Sequence, residues 1–258
     1  WFAAILVCIA LLAFVAYIFF DIKLDRQQEQ QKLINKDEVF KLSDLLDLLK
    51  NNSFLYITAL CLLFYSAVFP FLSFSADFFL NKYGLSLERS GAISSLLPIG
   101  TVIFTPLFGL YVDKKGNAAS LMILGSAILM LVHFLFMSTQ LPPYIPMIML
   151  GIAFSLVPAA MWPSVARIVD ENRLGTAYGL MFSIQNLGLW GFPIMAGIIL
   201  DNTNKSTEGA LNYGPTMLMF LILGSAGMVF ALLLRRYSIK NGRGLDKPMK
   251  PADEKKEK

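Results

Sequence analysis

GLYVDKKGN, residues 109–117, separates two apolar runs, and its reading organises what lies on either side of it. The runs before it (90–112) and after it (118–138) are each long enough to be a helix crossing a hydrocarbon core of ~30 Å at ~1.5 Å per residue. Between them, Asp113, Lys114, Lys115, Gly116 and Asn117 are too polar for hydrocarbon and too few for a domain. They predict a tight hairpin at a membrane face. Gly109 permits close helix contact and Gly116 a tight turn. Asp113 can pair with basic groups or cap a helix start.

Working outward, apolar blocks recur at about 1–20, 53–80, 90–112, 118–138, 143–168, 174–200 and 213–234. The chain of 258 residues is 56% hydrophobic, against about 45–50% for a soluble domain, and its mean hydropathy is +0.60. The expected fold class is an all-α membrane protein. Trp1 opens an apolar run with no initiator Met and no basic leader before it, so the chain is expected to be a piece of a longer protein, with further membrane segments upstream. Cys8 and Cys61 lie in apolar blocks and read as small packing residues. With one histidine and no zinc spacing, no metal or cofactor is expected.

The polar stretch 21–52 interrupts the blocks. Its first half, DIKLDRQQEQQKLINKDE, fits a solvated linker or helix. In the second half Leu42, Leu45, Leu46 and Leu49 recur at helical spacing, with Asp44, Asp47 and Lys50 elsewhere on the wheel. That pattern predicts an amphipathic helix, either lying on the membrane surface or packed on neighbouring loops. With this stretch assigned to the inside, every Lys and Arg except Lys82, Arg89 and Lys205 falls on the inner side. The asymmetry sets the orientation. The basic tail 237–258 is expected to be disordered and able to touch anionic headgroups. Because the basic residues follow the inner membrane face, nucleic-acid binding has no support. Gly175, Gly179 and Ser183, spaced by four, form a small-residue stripe that lets another helix approach.

Gly109, Asp113, Lys114 and Gly116 match the G-x-x-x-D-(K/R)-x-G pattern, which the sequence is similar to in position as well as in residues. The major facilitator superfamily carries it between helices 2 and 3 and again between helices 8 and 9. The resemblance covers the whole chain. It implies that 1–20 is the last helix of an N-terminal half and 21–52 the central cytoplasmic loop. It further implies that 53–236 is the six-helix C-terminal half of a twelve-helix bundle, with 237–258 the tail. In such proteins the substrate site lies between the halves near the midplane, and the motif residues act in conformational change. Three further stretches, YSAVFPFLSF (65–74), AAMWPSVARIVDENRLGTAYG (159–179) and FSIQNLGLWGFPIMAGIILD (182–201), resemble the lysosomal dipeptide-transporter branch of that superfamily. That resemblance implies dipeptide uniport.

Candidate substrate-binding residues are the polar and aromatic side chains inside spans. Gln185 and Asn186 carry amides that are costly to leave unpaired in hydrocarbon, and serve either a substrate or interhelical bonding. Gln185 shares a helix face with Tyr178 and Phe182, and Asn186 with Ser183 and Gly179, so one of the two faces is expected to line a cavity. Trp162, before Pro163 and well inside its span, can wall a cavity and donate its indole N–H. Tyr65 and Phe69, beside Pro70, are weaker candidates, and Tyr178 completes the set. His133 is alone in an apolar span, where the resemblance implies a helix outside the cavity, and it reads as structural rather than proton-coupling. Asp77 and Asp201 read as gate or cap residues near outer helix ends.

No Lys, Arg, Asp or Glu lies at the middle of any expected span, so this half offers neutral polar and aromatic contacts. There is no H-E-x-x-H, no intramembrane aspartate pair and no nucleophile with a base, which argues against an intramembrane enzyme. The expected function is membrane transport of a small polar solute, dipeptides first, by alternating access. The alternatives are another small metabolite (a sugar, an organic acid or a drug-like cation) and a non-transporting receptor or scaffold. Expected partners are the solute, the lipid bilayer and the N-terminal half, with room for an accessory membrane protein. The expected location is a bacterial cytoplasmic membrane, with a lysosomal membrane as the alternative.

Overall fold

The computed structural model describes residues 2–32, 42–206, 209–242 and 244–248, and all regular structure among them is helical. Two compact units result, 1–41 and 42–258. The first contains α1 (Phe2–Lys32), which continues past the apolar block into the polar stretch. DIKLDRQQEQQK has no Gly or Pro and is rich in good helix formers, so nothing in it stops the helix. The side chains of residues 4–24 are exposed on every face of α1. An isolated helix apolar all round is a membrane span.

The second unit begins with α2 (Leu42–Lys50). Leu48 is its buried leucine, while Leu46 and Leu49 are exposed. This departs from the expected leucine stripe, for an electrostatic reason. Arg173 reaches Asp44 at 3.3 Å and Asp47 at 3.1 Å, and Asp44, Asp47 and Leu48 share one helix face. The guanidinium draws that face inward. Arg173→Gln is expected to lower stability by about 1 kcal/mol at low salt, with the difference shrinking in 1 M salt as screening replaces the pair. Thermal melts in detergent at the two salt concentrations check this.

The long helices follow: α3 (Asn52–Tyr83), α4 (Leu87–Ser94), α5 (Leu96–Lys115), α6 (Ala118–Ser138), α7 (Tyr144–Ile168), α8 (Leu174–Asn204) and α9 (Gly214–Lys240). Together with α1 they supply seven candidate membrane spans, α4 and α5 counting as one, among the described residues. Asn51 caps α3, its Oδ1 accepting from the Ser53 N–H at 3.1 Å, while its Nδ2 donates to the Ile168 carbonyl at 3.2 Å. One side chain thereby ties the start of α3 to the end of α7. The span expected at 90–112 starts earlier, at Leu87 behind the Ser86 cap, and is interrupted at Ser95. Pro98 has no N–H to return to the Ser94 carbonyl, and the Ser94 and Ser95 hydroxyls bond to the carbonyls of Ser90 and Ala92.

Packing runs from α5 to α7, α6, α9, α3 and α8 in turn, with α3 also touching α4 and α7. Close crossings occur where a side chain is missing. A Cβ on Gly188 would lie 2.3 Å from Leu62 and Ser66 of α3, and one on Gly125 would lie 2.5 Å from Val157 of α7. The small-residue stripe on α8 behaves differently, because Gly175 and Gly179 have open space beside them. Gly188, further along α8, makes the α3 contact instead. Gly109 also has open space, so no helix approaches it within this unit.

The tail departs from its expected disorder over residues 237–242 and 244–248. Helix α9 runs to Lys240, and Gly244–Pro248 fold back against the bundle with Leu245 fully buried. The last ten residues, 249–258, lie outside the described residues, as does 33–41 of the expected central loop.

Candidate functional site

Three helices present aromatic residues four or eight residues apart, which places each set on one helix face. They are Tyr65 and Phe69 on α3, Phe154 and Trp162 on α7, and Tyr178 and Phe182 on α8. The faces meet. The Trp162 indole N–H donates to the Tyr65 hydroxyl at 3.1 Å, and the Tyr178 hydroxyl donates to the Trp162 carbonyl at 3.0 Å. Trp162 stacks on Phe182, centroids 4.5 Å apart and planes 22° apart. Tyr65 stacks on Phe69 at 5.7 Å, and Phe154 stands edge-on to both at 5.5 and 5.3 Å. Each ring is held by neighbours and the indole by a hydrogen bond, so the cluster is a rigid wall. Tyr65 is buried, Trp162 and Tyr178 are half-buried, and Phe69 and Phe182 open outward.

The structure therefore joins Tyr65, Phe69, Trp162 and Tyr178 in one cluster. Trp162 spends its indole donor on Tyr65, leaving its ring rather than its N–H to meet a ligand. Gln185 and Asn186 part company, as adjacent residues on a helix must. Gln185 is buried between α8 and α3, its Oε1 accepting from the Cys61 thiol at 3.6 Å. Asn186 is exposed, and its Nδ2 donates to the Phe182 carbonyl one turn earlier at 2.8 Å, which leaves its Oδ1 available as an acceptor. Phe154 and Phe182 were missed as candidates. The signal was available in their spacing, Phe154 standing four residues before Pro158 and eight before Trp162, and Phe182 four residues from both Tyr178 and Asn186.

At the hairpin end of the bundle, Asp113 and Lys114 are exposed and Gly116 is buried. Gly116 has φ 75° and ψ −125°, and Asn117 has φ 59°. The carboxylate of Asp113 lies within electrostatic reach of Arg167 at the end of α7.

Two other features are structural. His133 is fully buried on α6, its ring 5.3 Å from Phe71 and 5.6 Å from Phe220. It packs against α3 and α9 on rings that are not among those of the aromatic wall. His133→Leu is expected to change stability by less than about 1.5 kcal/mol and leave solute uptake and its pH dependence intact, as a volume-conserving core change does; a pH profile of uptake checks it. At the opposite end from the motif, a cavity of about 330 Å³ is lined by Lys82, Phe78, Phe136, Asn212 and Tyr213 among others. Lys82 Nζ donates to the Phe136 carbonyl there, and so serves to cap the end of α6. Asp77 accepts from the Tyr213 hydroxyl, and both burial and that carboxylate push the Tyr213 hydroxyl above its usual pKa.

A bundle of apolar spanning helices with an aromatic wall on one side and a charged hairpin at one end defines a polytopic membrane protein. The chain belongs to the Major Facilitator Superfamily, whose family model matches residues 1–193. Its curated relatives include the lysosomal dipeptide transporter MFSD1 of Mus musculus, 39% identical over 69% of this chain and 39% of that protein. The Homo sapiens protein of the same name is 38% identical over 68% of this chain and 38% of its own length. The Bos taurus protein is 34% identical over 89% of this chain and 48% of its own. The chain thus spans under half the length of these relatives. The branch resemblance of 65–74, 159–179 and 182–201 agrees with these matches. A solved crystal structure of the peptide transporter POT (E310Q mutant) in complex with sulfate shares the fold. Its TM-score is 0.54 at 17% identity, covering 78% of this chain and 42% of that one.

Proposed function

We propose that the protein transports small polar solutes by alternating access, dipeptides first among them, and that this chain supplies one wall of the solute site. The observation that carries the reading is the rigid aromatic cluster of Tyr65, Phe69, Trp162 and Tyr178, joined by Phe154 and Phe182. Flat rings held in place suit side chains of varied shape, because apolar contact does not demand one partner geometry. Asn186 Oδ1, left available beside Phe182, can accept from a peptide N–H, while Gln185 supports the wall from behind. No charged side chain stands mid-span among the described residues. Contacts to the charged ends of a dipeptide therefore belong to the other half of the protein. In this reading Gly109, Asp113, Lys114 and Gly116 form the inner hairpin that the halves move against. Residues 21–52 are the central loop and 53–236 the six-helix half. Relatives named as lysosomal favour a lysosomal membrane over a bacterial cytoplasmic membrane. Immunolocalisation or fractionation of the tagged protein decides between them.

A ligand-stabilisation screen in detergent tests the solute class, since a ligand that binds the folded state raises apparent stability with concentration over Kd. Dipeptides are expected to raise Tm, and amino acids, sugars and organic acids are not. A shift with another class alone overturns the dipeptide reading.

A further inference from the structure

The folded segment Gly244–Pro248 lies against the motif hairpin, and Asp246 is its centre. Helix α6 needs what that residue provides. The Asn117 side chain makes no capping hydrogen bond, so the first-turn N–H groups of α6 lack the usual local acceptor. Asp246 supplies acceptors from a distance of more than a hundred residues along the chain. Its carbonyl accepts from the Asn117 N–H at 3.0 Å and its Oδ1 from the Ser120 N–H at 3.1 Å. Its Oδ2 accepts from the Ser120 hydroxyl at 3.4 Å and pairs with Arg235 Nε of α9 at 3.2 Å. A carboxylate at a helix N-terminus is also favoured by the helix dipole.

The segment is anchored on both sides of Asp246. Leu245 is fully buried, and its N–H donates to Ser238 Oγ at 3.2 Å. Arg167 Nη1 lies 3.3, 3.1 and 2.8 Å from the carbonyls of Gly244, Leu245 and Lys247. Gly116 meets Lys247 and Pro248 so closely that a Cβ there would lie 2.4 Å from the Lys247 carbonyl carbon. Five residues therefore bind α6, α7, α9 and the hairpin together. They pin Gly116 and Asn117 and leave Asp113 and Lys114 exposed.

We infer that Asp246 is a positioning residue for the motif hairpin, acting as a detached N-cap for α6 that sets how Asp113 and Lys114 are presented during the transport cycle. This rests on the proposed transport function, because a hairpin needs presenting only if the halves move against it.

The test places a reporter thiol by Ala119→Cys in a Cys8→Ser background; Ala119 is 1% exposed in the first turn of α6, and Cys61 is buried. Maleimide labelling of that thiol reads opening of the α6 start, and proteoliposome uptake reads the cycle. Asp246→Asn is expected to raise the labelling rate about tenfold, the loss of one charge-assisted hydrogen bond, and to lower maximal uptake with KM unchanged. Asp246→Glu should recover part of both. Ser120→Ala, which keeps the backbone bond, should give an intermediate labelling rate and serves if Asp246→Asn fails to fold. Unchanged labelling in both Asp246→Asn and Ser120→Ala overturns the inference, as does faster labelling with unchanged uptake. No uptake of any solute by the unsubstituted protein, with the labelling response intact, sinks the transport reading and leaves the anchoring of α6 standing.

Discussion

On the proposed function, Trp162→Ala is expected to weaken dipeptide binding about 30-fold, the cost of truncating a tryptophan at the centre of a binding surface, ~2 kcal/mol or more. Three contacts go at once. The stacking on Phe182 is lost, Tyr65 loses the donor at 3.1 Å that fixes its hydroxyl, and the Tyr178 ring loses the indole 6.1 Å away, although its hydroxyl keeps the backbone carbonyl of residue 162. Trp162→Phe keeps a ring on the wall and removes the indole donor. It should cost about fivefold, the net worth of one hydrogen bond. Kd from ligand-dependent melting shifts reads both variants, and unliganded melts show whether either loss is one of folding. Equal losses in the two variants would mean that the donor to Tyr65 matters more than the ring.

Gly116→Ala is expected to destabilise the protein by about 2–6 kcal/mol. The residue has φ 75° and ψ −125°, outside the region L residues occupy at low cost, and that strain alone costs about 1–3 kcal/mol. The added methyl would also sit 2.4 Å from the carbonyl carbon and 2.5 Å from the carbonyl oxygen of Lys247, both backbone atoms with no rotamer to escape into. Overpacking of that kind adds about 1–3 kcal/mol. By contrast Gly109→Ala, on the same motif but with open space beside it, should leave the melting temperature of this unit nearly unchanged. Tm and the monodisperse fraction after solubilisation distinguish the two.

The two motif glycines show how far the sequence could be read. The span pattern, the hairpin and the family resemblance follow from hydropathy blocks and from a handful of spaced residues, because lipid leaves a backbone few options besides helix. Family membership and an all-helical fold came out as expected. Which glycine packs did not. The stripe of Gly175, Gly179 and Ser183 looked like a contact surface, but spacing says only that a helix can approach, not whether one is present in this half. Gly188 makes the α3 contact, and its neighbours Leu62 and Ser66 are more than a hundred residues away in sequence.

The aromatic wall was partly legible. Tyr65, Trp162 and Tyr178 stood out as polar-tipped rings in apolar spans and Phe182 as a neighbour of Gln185 on its helix face, whereas Phe154 looked like one of 21 phenylalanines. Gln185 and Asn186 were indistinguishable as adjacent amides, since the rotation of α8 about its axis is set by packing at Gly188. The leucine stripe of α2 misled for a related reason. Periodicity locates an apolar face, and a single arginine from the 171–173 turn decides which face is held down. The tail read as disordered from its charge and its glycines. What orders residues 244–248 is the unfilled cap of α6, a need that is visible only once the helix start is placed.

Uptake of a labelled dipeptide into proteoliposomes, compared with a free amino acid, a sugar and an organic acid, tests the central claim most directly. Saturable dipeptide uptake that falls in Trp162→Ala and survives in His133→Leu is the expected result. Saturable uptake of a different solute, or dipeptide uptake that Trp162→Ala leaves unchanged, would contradict it.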